Sequence, residues 1–184
     1  MLIIRLIILV LGTTIIVWVS RSSLRDVQSH GFYRFFAWEL ILVLFVLNVI
    51  YWIIDPFSLT QIIAWAFLTI SLVLIFLGVR TFRKSGNIDQ ARDGPSLVGI
   101  EKTTELVTSD VYRYIRHPFY SSLLFLAWGI FFKRISLVGV VLAISVTTLL
   151  IITVQKEEIE NIAFFGEKYQ DYMQRTKMFI PFIL

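Results

Sequence analysis

The chain contains no cysteine in 184 residues. Disulfides, thiolate metal sites and cysteine nucleophiles are therefore excluded. Histidine occurs only twice, which also removes a multi-histidine metal site. Charge is scarce: Asp, Glu, Lys and Arg make up 16% of the residues, against about 25% in an ordinary soluble domain. The sequence has neither a glycine-rich phosphate loop nor a dinucleotide-binding fingerprint.

Apolar residues fill the space left by these absences. They account for 57% of the chain, and mean hydropathy is +0.78. That excess calls for a solvent other than water. About 20 apolar residues cross the hydrocarbon core of a bilayer as a helix. Leu2–Val19, Phe35–Ile54, Ile62–Val79 and Ile135–Val154 meet that requirement. The first run is longer than a signal-peptide core and lacks a small-residue cleavage site, so it reads as a retained helix. Phe119–Phe132 is too short to cross alone, and either borrows residues from its flanks or dips in. The expected fold is all-α: a polytopic membrane helix bundle of about five spans with a C-terminal amphipathic helix. One membrane domain covers 1–184: three spans in 1–79, a loop at 80–118, a helical hairpin at 119–154 and a tail at 155–184.

The net charge of +4 could suggest nucleic acid, but the basic residues flank the apolar runs. Membrane topology puts them there, and no nucleic-acid partner is expected. Five spans with the N-terminus outside leave fourteen basic residues on the cytoplasmic side and three, Arg5, Lys133 and Arg134, on the other. The loop over Lys84–Gly99 holds Gly86, Gly94, Pro95 and Gly99, and Gly166 is placed to break the tail's helix. The tail carries a helical stripe of Ile159, Ile162, Phe165, Tyr169, Tyr172 and Met173.

Two polar clusters fall on the same cytoplasmic side. The first is Tyr112-Arg113-Tyr114-Ile115-Arg116-His117-Pro118-Phe119-Tyr120. Proline suits the first turn of a helix, where its missing N–H would be unpaired anyway. The N–H groups of such a helix start attract anions, although Tyr, Arg and His also serve as interfacial anchors. The second cluster, Lys156-Glu157-Glu158-Ile159-Glu160, follows the last span and sets acids against a helix C-terminus. Taken alone it reads as a solvated helix end. Neighbouring positions on a helix point about 100° apart, so one of Glu157 and Glu158 is expected to face inward, and the stripe favours Glu158. Together the clusters can grip a zwitterion. Ser121 or Ser122 could complete a hydrolase dyad with His117, but serines at a helix start more often bond back to the helix.

The order Tyr112-x-x-x-Arg116-His117-Pro118-x-Tyr120, Glu157-Glu158, Phe165-Gly166-x-x-Tyr169-x-x-Tyr172 and Pro181 resembles the isoprenylcysteine carboxyl methyltransferase family. Phospholipid N-methyltransferases share the Arg-His-Pro and Glu-Glu elements. The resemblance runs from Glu105 to the C-terminus and implies an integral membrane enzyme that uses S-adenosylmethionine (AdoMet). Its site would face the cytoplasm, and a lipophilic or lipidated acceptor would arrive from the bilayer. On that basis Tyr112, Arg116, His117, Pro118 and Tyr120 would line the cofactor site with Glu157 and Glu158, and no metal would take part. Arg116 and Glu158 would be the catalytic residues. Carboxyl O-methylation of a prenylcysteine-type acid is the implied reaction. Phospholipid N-methylation, thiol S-methylation, a related reductase and a non-enzymatic accessory protein are the alternatives. The chain departs from the family pattern at Asp110, where glycine is usual, and at Asn161, where leucine is common. Near the final proline, Arg175 and Lys177 are the closest cations.

Overall fold

A computed structural model describes residues 2–85 and 105–181. Six helices follow in order: α1 (Leu2–Ser20), α2 (His30–Asn48), α3 (Leu59–Ser85), α4 (Pro118–Phe132), α5 (Leu137–Phe165) and α6 (Glu167–Arg175). Single 3₁₀ turns occupy Ser23–Arg25, Val49–Tyr51 and Asp110–Arg113. The described residues form an all-α bundle with no named strand, as expected. Four helices are long and apolar enough to span a bilayer, and α4 is a shorter apolar helix. The loop expected over 86–99 lies outside the described residues.

Side-chain caps and small residues account for how the helices begin and pack. The Ser29 hydroxyl accepts the Phe32 N–H at the start of α2, and Ser136 accepts the Gly139 N–H at the start of α5. Membrane helices gain no hydrophobic drive from burial against one another, so close approach at small residues matters. A Cβ at Gly129 of α4 would fall 2.9 Å from Leu68 Cγ of α3. One at Gly12 of α1 would fall 2.6 Å from Leu42 Cδ2 of α2. The main packing pairs are α3 with α4 and α2 with α5, while α1 lies outside against α2 with most of its side chains exposed.

The core stripe of α5 decides what faces the interior. Gly139, Ala143, Val146, Leu150 and Val154 are buried at three- and four-residue steps. Glu158 and Asn161 continue the same face. The helix does not stop at Val154. It runs unbroken to Phe165 and ends at Gly166, whose φ of +62° suits glycine. The bilayer span and the acidic cluster are therefore one rigid rod, and the lipid-depth packing fixes the direction of the carboxylates.

Helix α4 has 15 residues, about 22 Å at 1.5 Å per residue, short of the roughly 30 Å hydrocarbon thickness. Its Ile130 and Phe131 carbonyls accept the Lys133 and Arg134 N–H groups of the following turn, which leaves their second lone pairs and the Lys133 carbonyl to be met. Polar side chains from α2 and α3 add to these bonds. Asn48 Nδ2 donates to the Ile130 carbonyl at 2.9 Å, and Gln61 Nε2 to the Lys133 carbonyl at 3.2 Å and the Tyr51 carbonyl at 2.8 Å. Gln61 Oε1 accepts from Lys133 Nζ at 2.9 Å. Gln61 thus serves three partners and Asn48 one. Gln61→Leu is expected to lower unfolding stability by about 2–3 kcal/mol and Asn48→Leu by about 1 kcal/mol. Detergent unfolding of both variants checks the order, and equal small losses would contradict it.

Candidate active site

The Arg-His-Pro corner is held by the chain's own tail. After α6 the backbone returns beside residues 114–117 in a short parallel bridge. The Arg116 N–H donates to the Lys177 carbonyl at 2.8 Å, the His117 N–H to the Met178 carbonyl at 3.3 Å, and the Lys177 N–H to the Tyr114 carbonyl at 3.0 Å. Phe179, 1% exposed, plugs the core behind the corner. The Ser121 hydroxyl reaches the carbonyls of His117 at 2.9 Å and Phe179 at 2.8 Å, and Ser122 bonds the Phe119 carbonyl. Both serines bond back to the backbone, so neither is poised as a nucleophile. Pro118 opens α4 as its first residue.

Arg116 points away from solvent and spans three segments. Its Nε donates to Glu158 Oε1 at 2.7 Å. Its Nη1 reaches the Met173 carbonyl at 3.2 Å and the Thr176 carbonyl, so the cation caps the C-terminal end of α6. His117 sits between two carboxylates. Its Nε2 is 3.3 Å from Glu158 Oε1, and its Nδ1 is 3.7 Å from Glu157 Oε1. Both glutamates therefore reach the corner. That corrects the expectation that only one faces inward, because a ring between adjacent helical positions can be approached from either side.

The two carboxylates have different partners. Glu158 Oε1 is engaged by Arg116 and His117. Glu157 Oε2 is buried and has no hydrogen-bond partner. Arg116 and Glu158, named as catalytic from the motif, are bonded to each other. Tyr120 lies against His117 with ring centroids 5.9 Å apart. Tyr112 is tied in through its backbone, whose carbonyl accepts the Tyr172 hydroxyl at 2.6 Å. Burial pushes the Tyr169 and Tyr172 phenols well above their usual range, so both remain neutral. Asn161 Nδ2 donates to the Tyr169 hydroxyl at 3.4 Å, and this explains an amide at the position where leucine is common.

Sequence reading missed the tail as a structural part of the site. Thr176 and Phe179 carry no motif. It also placed Ile159 on the amphipathic stripe, whereas Ile159 is 63% exposed, because the buried face of α5 runs through Val154, Glu158 and Asn161, and Ile159 points about 100° away from Glu158. Beside α6, a polar cavity of about 590 Å³ opens next to Tyr172 and Thr176. Arg113, Lys168 and Arg175 line it, opposed by Asp171.

The model of the phospholipid methyltransferase family matches residues 59–171. The chain belongs to the phospholipid methyltransferase family. The match takes in α3, which the motifs had left to hydrophobicity alone, and stops before the bridge at Lys177. A methanethiol S-methyltransferase of Crocosphaera subtropica is 36% identical over 77 residues, covering 41% of this chain and 29% of the relative. A protein-S-isoprenylcysteine O-methyltransferase of Mus musculus is 34% identical over 124 residues, 66% of this chain and 43% of the relative. The isoprenylcysteine O-methyltransferase B of Arabidopsis thaliana is 31% identical over 124 residues, 65% of this chain and 61% of the relative. These relatives agree with the resemblance read from the motifs. The chain spans less than two thirds of the length of these relatives. No solved structure matches.

Asp110 stands where the family pattern has glycine, and its φ is +51°. That backbone region costs a side chain about 1–2 kcal/mol unless it is glycine or a short polar residue such as Asp. The local shape is therefore kept by a tolerated substitute, with Thr81 Oγ1 donating to Asp110 Oδ2 at 3.4 Å. Asp110→Gly is expected to change stability by under about 0.5 kcal/mol, and Asp110→Val to cost about 2 kcal/mol. Thermal unfolding of the pair tests this. A harmless valine would show that the turn does not need the left-handed region.

Proposed function

We propose that the chain is an integral membrane methyltransferase that uses AdoMet at the corner formed by Arg116, His117, Glu157 and Glu158. The observation that carries this reading is the buried, unpartnered Oε2 of Glu157 beside His117, within the segment that matches the family. A buried carboxylate oxygen without a donor is costly, and an ammonium group relieves that cost. The amino-acid end of AdoMet carries such an ammonium next to a carboxylate. Arg116 has Nε and Nη1 committed and forms no described bond through Nη2, which leaves a donor for that carboxylate. The residues present therefore fit the zwitterionic end of the cofactor.

The proposed roles separate accordingly. Glu157 receives the ammonium. Arg116 offers Nη2 to the carboxylate while its other nitrogens hold the end of α6, and Glu158 acts as a positioning residue that holds Arg116 and His117 in place. Tyr112, Pro118 and Tyr120 shape the wall. When bound, AdoMet supplies an activated methyl group for in-line transfer to a nucleophile. The protein contributes alignment and a dry surround rather than covalent chemistry. The site opens at the ends of α4 and α5 that the basic-residue asymmetry assigns to the cytoplasm.

The acceptor is proposed to be lipophilic, because the corner lies at the ends of helices whose outer faces are apolar. A prenylcysteine-type carboxylate fits best: it is already ionised and needs no base. A thiol is the second reading, supported by the methanethiol-specific name of one relative.

Glu157→Gln keeps shape and removes charge. AdoMet affinity is expected to fall roughly 10- to 150-fold, the worth of a charge-assisted hydrogen bond, with the melting temperature nearly unchanged. Glu158→Gln is expected to lower the melting temperature as well, because it strands Arg116 and His117. Calorimetric titration beside thermal unfolding distinguishes the two. Unaltered affinity in the Glu157 variant would remove its assigned role, and no AdoMet binding by well-folded wild type would remove the enzyme reading.

A further inference from the structure

The end of the bundle remote from His117 holds the three cations that the basic-residue asymmetry leaves over: Arg5, Lys133 and Arg134. All three gather round residues 47–52. Arg5 Nη2 donates to the Leu47 carbonyl at 3.1 Å. Arg134 bonds the Tyr51 hydroxyl and lies 4.4 Å over its ring. Lys133 Nζ lies 3.3 Å over the Trp65 ring and 5.4 Å from that of Trp52. None of these contacts is with a carboxylate. The segments that meet here, 2–9, 47–58 and 131–138, contain three cations and a single acid, Asp55.

Two donors at this end have no acceptor. The Nε of Arg5 and the indole Nε1 of Trp52 are both buried and unpartnered. Buried donors are almost always satisfied, so two in one region call for a partner. Trp52 also lines an apolar groove of about 320 Å³ that runs between α1, α2 and α4. It extends from Ile16 and Trp38 to Phe45 and Trp52. Its volume is at the small end of the roughly 300–1,000 Å³ range of ligand sites, room for one chain rather than two.

We propose that this end binds an anionic phospholipid, with one hydrocarbon chain in the groove and its phosphodiester against Arg5, the Trp52 N–H and Arg134. The groove alone would accept any apolar chain. The uncompensated cations and empty donors select the headgroup. A phosphodiester supplies acceptors to both donors and offsets the local positive charge. A choline headgroup would bring a further cation into a positive field, which disfavours it. Lys133 takes no part, since Gln61 and the Trp65 ring already hold its ammonium. The site is independent of methyl transfer, which is assigned to the opposite end.

The test uses the full chain purified in a neutral detergent. It is titrated with short-chain phosphatidylglycerol, with phosphatidylcholine of the same chains, and with glycerol 3-phosphate. Bound lipid is read by native mass spectrometry and stabilisation by melting temperature. Phosphatidylglycerol is expected to bind one to one, roughly tenfold tighter than phosphatidylcholine, given cations of ordinary worth near a headgroup. Trp52→Phe keeps an aromatic ring, deletes the N–H and is expected to weaken phosphatidylglycerol roughly tenfold. Leu126→Trp fills the groove and is expected to weaken both lipids. Equal affinity for the two lipids, or full retention in Trp52→Phe, would overturn the proposal. Glycerol 3-phosphate binding as tightly as phosphatidylglycerol would reject the lipid as the source of the anion. If Leu126→Trp left phosphatidylglycerol binding intact but impaired turnover of a lipophilic acceptor, the groove would belong to the acceptor, and the proposal would fail.

Discussion

The buried pair between Arg116 and Glu158 joins three parts of the chain: the turn before α4, the C-terminal end of α5 and the end of α6. A buried ion pair adds little net stability against a well-packed apolar substitute, because both charges lose their water. Its effect lies in specificity. With either partner missing, the other is left charged and unsatisfied, so the segments have one arrangement in which all groups are met. The parallel bridge, the Phe179 plug and the Ser121 contacts follow from that arrangement. His117 then has a fixed carboxylate on one ring nitrogen, and Glu157 is left with an oxygen that faces no protein donor.

Two physical regimes meet at this corner. In the bilayer, α5 is placed by small and branched side chains at three- and four-residue steps, a pattern that leaves no rotational freedom. Because the helix continues without a break to Phe165, that same rotation carries Glu158 and Asn161 inward. The lipid-depth packing thereby aims groups that sit beyond it. The opposite end of α4 shows the reverse case. A helix too short for the hydrocarbon ends inside the bundle, and Asn48 and Gln61 are drawn in to meet its carbonyls.

Much of this was legible in the sequence, because bilayer physics writes plainly. Apolar runs gave the spans, and the motif residues Arg116, His117, Glu157 and Glu158 do converge. What escaped was local direction. The expected break at Gly166 is present, but the stripe counted from Ile159 is offset from the buried face of α5, which runs through Val154, Glu158 and Asn161, so Ile159 faces away. The preference for Glu158 over Glu157 rested on that stripe. The structure brings both to His117 and commits the first to Arg116. Asp110 looked like a departure from the family pattern, yet its backbone is the one glycine would adopt. Contacts made by carbonyls, such as those of Met173 and Thr176, leave no trace in residue identity, and the role of the tail was invisible for that reason.

The coupling between Arg116 and Glu158 can be measured directly by a double-mutant cycle on unfolding stability, using Arg116→Gln, Glu158→Gln and the double variant. Each single change should cost about 3 kcal/mol by stranding its partner. The double should cost little more than either, giving a coupling of about 2 kcal/mol or above. Costs that add to within about 0.5 kcal/mol would mean that the two side chains act independently, and the corner would then have to be held together by something else.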